Sequence, residues 1–162
     1  MRRFDLRSLR FDRSDAASRR LTVEVDPFVF GGESYAVPDD RVDLSLDVSR
    51  VGTKLVIQAR FATRLNGVCA RCLEDVDLPL EAGGVEYVAG GESRGTEDGE
   101  DPYVRGYQLQ ADRWARDLLA DRLPAQLLCR PDCRGLCPEC GANLNEVGDG
   151  HSHGDVAGVA QS

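Results

Sequence analysis

Cys129-Arg130-Pro131-Asp132-Cys133-Arg134-Gly135-Leu136-Cys137-Pro138-Glu139-Cys140-Gly141 sets four thiols within twelve residues. Two further thiols, Cys69 and Cys72, stand far upstream in Cys69-Ala70-Arg71-Cys72. The two histidines of the chain, His151 and His153, follow the cluster as His-Ser-His. Cys-x-x-Cys lets two sulfurs converge on one ion at about 2.3 Å each while the backbone turns back between them. In Cys137-Pro138-Glu139-Cys140-Gly141, Pro138 restricts that turn and Gly141 permits a left-handed residue after the second ligand. Amide N–H groups in such a turn donate to the thiolates and offset their charge. The pattern is that of a zinc knuckle. The candidate ligands are Cys69, Cys72, Cys129, Cys133, Cys137, Cys140, His151 and His153. Eight ligands fill two closed tetrahedral sites with none left over, so one or two Zn2+ ions are expected.

Other uses of the thiols fit less well. Disulfides need an oxidising compartment, and Met1-Arg2-Arg3-Phe4-Asp5-Leu6 lacks the apolar stretch of a secretory signal. A thioredoxin-like pair needs a βαβ context, which neither Cys-x-x-Cys has. No apolar run approaches the length of a membrane span, so a cytoplasmic protein without membrane contact is expected.

Composition narrows the class further. At 162 residues the chain has room for one domain and a short tail. Hydrophobic residues make up 41%, which implies a modest core that metal sites would supplement. A net charge of −8 argues against a general polyanion binder. Residues 1–20 nonetheless hold seven arginines against three aspartates. Arginine grips phosphate with a planar fork, although GC-rich codon usage equally explains a chain with a single lysine, Lys54. Candidate RNA contacts are Arg2, Arg3 and Arg7 in this segment, with Arg71, Arg130 and Arg134 beside the ligands. The last three can equally balance thiolate charge.

Working outward from the cysteines, the fold reads as α+β: an antiparallel sheet with one packed helix and a C-terminal cysteine-rich knuckle module. Val42, Leu44, Leu46 and Val48 alternate with Asp43, Ser45, Asp47 and Ser49. Arg50-Val51-Gly52-Thr53 turns the chain, and Leu55 to Leu65 runs back. This predicts a hairpin with one apolar and one polar face. The returning strand leads through Asn66-Gly67-Val68 into Cys69, which places the first knuckle at a strand end. Before the hairpin, Phe4–Leu9 and Arg20–Val25 read as strands and 12–19 as a loop. Gly31-Gly32 and Pro38-Asp39-Asp40 mark turns around a short segment at Tyr35. After the first knuckle, 75–81 and 84–88 read as strand, with Pro79 implying an edge. Residues 90–101 carry no apolar side chain and form a flexible acidic loop. Leu109–Leu123 shows helical periodicity, with Ala111, Trp114, Ala115, Leu118 and Leu119 on one side and Pro124 as a stop. It feeds Leu127-Leu128 into Cys129. The expected organisation is one domain over 1–145, with 90–101 inserted, and a flexible tail over 146–162 carrying His-Ser-His.

These pieces resemble the YceD family of bacterial and plastid proteins, the large ribosomal RNA subunit accumulation proteins. The resemblance rests on Cys69-Ala70-Arg71-Cys72-Leu73 at a hairpin end, an acidic loop, and a helix ending at Leu123-Pro124. The run from Cys129 to Gly141, continued by Ala142-Asn143-Leu144-Asn145, is its most specific part. The likeness implies a role in large-subunit (23S-type) rRNA accumulation, hence in ribosome biogenesis, with rRNA or a precursor particle as partner and a ribosomal or rRNA-processing protein as a further one. It implies no catalytic activity. Some members keep the first knuckle and a pair at Cys129 and Cys133 but lack the later one. This implies one site from Cys69, Cys72, Cys129 and Cys133. Many members carry Cys-x-Cys where His151-Ser152-His153 stands here, which implies a second site from Cys137, Cys140, His151 and His153. Where many members continue with an Asp-Pro-Arg-Trp-like segment and a short basic helix, this chain reads Gly154-Asp155-Val156-Ala157-Gly158.

Two alternatives belong to other classes. Cys-Pro-x-Cys-Gly also occurs in rubredoxin-type iron sites, which would make the chain a redox protein, but the first pair is followed by Leu73 where such sites have glycine. A purely structural zinc protein acting through protein partners is the other. Catalysis is not expected. The chain has no His-Glu-x-x-His, no Gly-x-Ser-x-Gly and no phosphate loop, and both histidines lie in the tail.

Overall fold

A computed structural model describes residues 3–89 and 102–153. Arg2, the expected acidic loop at 90–101 and residues 154–162 lie outside them.

The hairpin at the centre is β5 (Arg41–Val51) and β6 (Lys54–Val68). Its alternation sorts the side chains as expected. Val42, Leu44, Leu46 and Val48 face Leu55, Ile57, Ala59, Phe61 and Leu65 in the core. On the opposite face, Arg60 pairs with Asp47 at 2.6 Å. Gly52 takes φ 61 in the tight turn between the strands, a conformation that favours glycine. β2 (Ala16–Glu24) joins one side and β7 (Asp75–Ala89) the other, giving an antiparallel sheet in the order β2-β5-β6-β7. Pro79 lies on β7, an edge strand of that sheet as its missing N–H requires.

Four elements differ in extent from the sequence reading. β2 begins at Ala16, inside the stretch expected to be a loop, because an edge strand facing solvent needs few apolar side chains. Ser18 instead donates to Asp47 across the strand pair at 2.7 Å. The two segments expected at 75–81 and 84–88 are one strand that runs unbroken through Gly83-Gly84. The helix, α1 (Ala111–Ala120), is shorter at both ends than 109–123. Leu109 belongs to β9 (Gln108–Gln110), which pairs with β1 (Arg3–Asp5) and β8 (Val104–Arg105) in a second small sheet. The expected first strand therefore stops at Asp5. That residue caps a 3-10 turn over Leu6–Ser8 by accepting the Arg7 N–H at 3.0 Å.

Trp114, Ala115 and Leu119 of α1 are buried in the core shared with the larger sheet. Gly84 is what admits the helix. A Cβ there would stand 2.7 Å from Leu118 Cδ2 and 3.6 Å from Trp114 Nε1. A fully buried tryptophan of this kind is worth about 3–5 kcal/mol against alanine. A third pairing, β3 (Phe28–Phe30) with β4 (Glu33–Tyr35), is the short hairpin expected around Tyr35. Its continuation Ala36 bonds to Asn66 in both directions, at 3.0 and 2.8 Å, and so braces the end of β6 just before the first knuckle. Among the described residues no helix is long and apolar enough to cross a membrane.

Candidate metal centres

The end of β6 carries the first knuckle. Gly67 has no side chain because Leu127 fills that space: a Cβ would stand 2.6 Å from Leu127 Cδ2 and 3.2 Å from the Ser34 carbonyl. Leu127 is buried, and its carbonyl accepts the Ala70 N–H at 2.8 Å. The segment after α1 is thereby pinned against the knuckle two residues before Cys129.

The result is a four-thiol cluster. Cys69, Cys72 and Cys133 are buried and Cys129 is exposed. Cys69 Sγ lies 3.7 Å from Cys133 Sγ, and Cys72 Sγ lies 3.6 Å from Cys129 Sγ. All four sulfurs fall within 4.8 Å of one another. A tetrahedron with metal–sulfur bonds of about 2.3 Å has edges of about 3.8 Å, so these thiols are spaced to hold one ion. They are much too far apart for disulfides, whose S–S bond is about 2.05 Å.

A second cluster gathers Cys137, Cys140, His151 and His153, again within 4.8 Å. Cys137 Sγ is 3.1 Å from His153 Nε2, Cys140 Sγ is 3.3 Å from His151 Nε2, and the two Nε2 atoms are 3.1 Å apart. A tetrahedral ion with two sulfurs and two imidazoles sets these edges at about 3.3–3.6 Å. His153 turns its other nitrogen, Nδ1, to Glu139 Oε2 at 3.5 Å. A carboxylate behind a ligating imidazole fixes which nitrogen is left for the metal. Cys137 is buried, whereas Cys140 and His153 are exposed, so this centre sits nearer the surface than the first.

The electrostatics of the thiols call for a cation. Burial opposes ionisation of Cys69, but backbone N–H groups of Cys72, Cys129 and Arg71 point at its sulfur and bring it down to about 6. Asn145 donates to Cys133 and, despite some burial, lowers it as well. The Glu74 backbone favours ionisation of Cys72, but burial and the three neighbouring thiols outweigh it and push Cys72 up to about 12. Burial and Cys133 raise Cys129. The cluster therefore stabilises some thiolates at the expense of others, a conflict that a divalent ion removes. In the second cluster the Cys140 and Glu139 amides bring Cys137 down to about 6. Thiolate and imidazole donors select borderline or soft metals over magnesium or calcium.

All eight ligand candidates are thus brought together, in two groups of four. The two Cys-x-x-Cys turns do not share an ion, which a rubredoxin-like centre would need. Four of the arginine candidates hold internal partners. Arg71 donates to the Cys133 carbonyl at 2.9 Å, Arg130 to Asn145 Oδ1 at 2.7 Å, and Arg134 pairs with Asp149 at 2.7 Å. Arg7 pairs with Asp5 at 3.1 Å, and Arg3 lies on β1.

The profile of the family described as large ribosomal RNA subunit accumulation protein YceD matches residues 57–157, which contain every ligand. The chain belongs to the YceD family. An uncharacterized protein of Mycobacterium bovis is 32% identical to it over 118 residues. Uncharacterized proteins from two strains of Mycobacterium tuberculosis match it to the same extent. Each match covers 71% of this chain and 56% of the relative, so the chain spans a little over half the length of these relatives. No solved structure matches the chain.

Sequence reasoning named the candidate ligands that cluster but not the groups behind them. Glu139 behind His153, and Asn143 and Asn145 beside the first cluster, become visible only once the turns are folded. The Asn-Leu-Asn run was their one sequence signal.

Proposed function

We propose that this chain is a zinc-stabilised, non-catalytic factor that supports accumulation of large-subunit rRNA by binding rRNA or a precursor particle. The observation that carries this reading is the coincidence of the family-matched region with two complete tetrahedral ligand sets. Each set has four protein ligands, which is the closed pattern of structural zinc, with no position left for a substrate. Zinc at the first site joins the end of β6 to the segment following α1 and adds folding energy to a small core. Four thiolates around one divalent ion leave roughly two negative charges, which Arg71, Arg130 and Arg134 are placed to offset. Arg130 and Arg134 keep 48% and 43% of their side chains exposed while doing so, which leaves donors for a phosphate.

Depletion of the protein tests this directly. Large-subunit rRNA should fall relative to small-subunit rRNA, and the protein should sediment with large-subunit precursors. Normal rRNA ratios on depletion would overturn the reading.

A further inference from the structure

The two centres are joined by a pair of asparagines. Asn143 and Asn145 lie on the connection between Cys140 and His151 of the second centre, at the start of the short helix α2 (Leu144–Val147). Their side chains turn away from that centre and grip both halves of the first. Asn143 Nδ2 donates to Glu74 Oε1 at 2.8 Å. The Glu74 carbonyl in turn accepts the Cys69 N–H at 2.8 Å, so this bond holds the first knuckle. Asn145 holds Cys133, a ligand of the opposite half. Its Nδ2 donates to Cys133 Sγ at 3.4 Å and to Asn143 Oδ1 at 2.9 Å. Its Oδ1 accepts from the Arg134 backbone N–H at 2.8 Å and from the Arg130 guanidinium at 2.7 Å.

An asparagine amide has two donor hydrogens and two acceptor lone pairs, and Asn145 uses them all. The network also fixes its orientation. Turning the amide over would set its oxygen against a thiolate and its NH2 against two donors. Both asparagines are tied by backbone bonds to the segment that carries the second centre. The Leu144 N–H bonds to the Gly135 carbonyl at 2.9 Å, and the Cys137 N–H bonds to the Ala142 carbonyl at 2.8 Å. Arg134 then holds Asp149 two residues before His151.

We infer that Asn145, with Asn143, couples the two centres, so that a metal held by Cys137, Cys140, His151 and His153 slows release of the metal held by Cys69, Cys72, Cys129 and Cys133. When the second centre opens, the connection is free to move and Cys133 loses its amide donor. Groups behind a metal ligand typically change affinity about 10–100-fold. To the extent that the coupling lies in binding free energy, linkage makes it reciprocal. This inference rests on the metal-binding reading above.

Chelator-driven release of zinc from the four-thiol centre tests it, in a double-mutant cycle on the whole chain. His151→Ala/His153→Ala should speed that release about 10–100-fold. Asn145→Ala should do the same while both metals are still bound at the start. Combining them should add little, because both act through one bond. Asn145→Asp keeps the shape, and cobalt spectra of its four-thiolate site report whether that site is still assembled. It too should release faster, since it removes a donor and brings a negative charge to Cys133. Unchanged release in Asn145→Ala and Asn145→Asp, or effects that multiply fully with the histidine changes, would overturn the coupling while leaving metal binding intact. A wild-type protein that takes up no zinc at all would overturn both.

Discussion

Leu73 and Gly141 occupy equivalent places in two copies of one turn. The Leu73 N–H bonds to the Cys69 carbonyl at 3.0 Å, and the Gly141 N–H bonds to the Cys137 carbonyl at 2.8 Å. In each turn the first cysteine then donates its own N–H to the carbonyl five residues on, Glu74 or Ala142, at 2.8 Å. Both residues are left-handed, with φ 61 at Leu73 and φ 73 at Gly141. The knuckle demands this conformation whether or not glycine supplies it. The sequence alone counts the missing glycine against a rubredoxin-type site at the first pair, yet the backbone there is the same as at the second.

Leu73→Gly should therefore stabilise the metal-loaded protein by about 0.5–1 kcal/mol, since left-handed strain of about 1–2 kcal/mol is relieved and partly offset by unfolded-state entropy. The Leu73 side chain is 64% exposed, so little packing is lost. Gly141→Ala should cost about 1 kcal/mol, and because nothing lies within 4 Å of a Cβ at Gly141, that cost is backbone strain alone. Denaturant midpoints of the two variants should move in opposite directions.

The two centres differ in depth, and their loss should differ in consequence. Cys72→Ser breaks the buried centre that ties β6 to the segment after α1, and should cost more than about 4 kcal/mol. Cys140→Ser opens the peripheral centre and should cost clearly less. Thermal unfolding of both, with zinc content measured alongside, checks the ranking. Equal losses would argue against the clamp.

Adjacent glycines of β7 make a steric test of how the sheet is packed. A Cβ at Gly83 would lie 2.8 Å from the Ala59 carbonyl oxygen, which belongs to the rigid neighbouring strand. At Gly84 the close atom is Leu118 Cδ2 at 2.7 Å, the tip of a flexible side chain. Gly83→Ala should cost about 1–3 kcal/mol and Gly84→Ala less, as chemical denaturation would show.

Metal-free protein should depend on pH in a defined direction. Cys137, with backbone amides at its sulfur, ionises at about 6 in the folded chain against 9.0 for an ordinary thiol. A depressed pKa contributes stability that is fully present above the unfolded value and is lost as pH falls through the folded one. The contribution of Cys137 should decline between pH 9 and 6 and vanish below. Cys137→Ala should flatten the unfolding free energy of chelator-treated protein across that window.

What could be read from the sequence divides along physical lines. The clustering of the eight candidate ligands was legible because a metal site would fix residue type and spacing together. The β5–β6 hairpin and the core of α1 were legible because burial on one face imposes a period. β8 and β9 were not, because strands of two and three residues show no period, and the strand that β9 joins, β1, lies at the other end of the chain. Ala16–Arg19 hid in polar composition, since Ser18 there bonds to Asp47 of β5 instead of packing. Asn143 and Asn145 were noticed as part of a run, but their bonds to Glu74 and Cys133 exist only after the chain has folded back on the first knuckle.

Two separate four-ligand zinc centres should form from the eight candidate ligands. Native mass spectrometry of untagged protein, with metal identified by elemental analysis, decides this. Two zinc ions are expected in the wild type, one in Cys72→Ser and one in His151→Ala/His153→Ala. A single zinc in the wild type, or iron in place of zinc, would contradict the two-centre assignment.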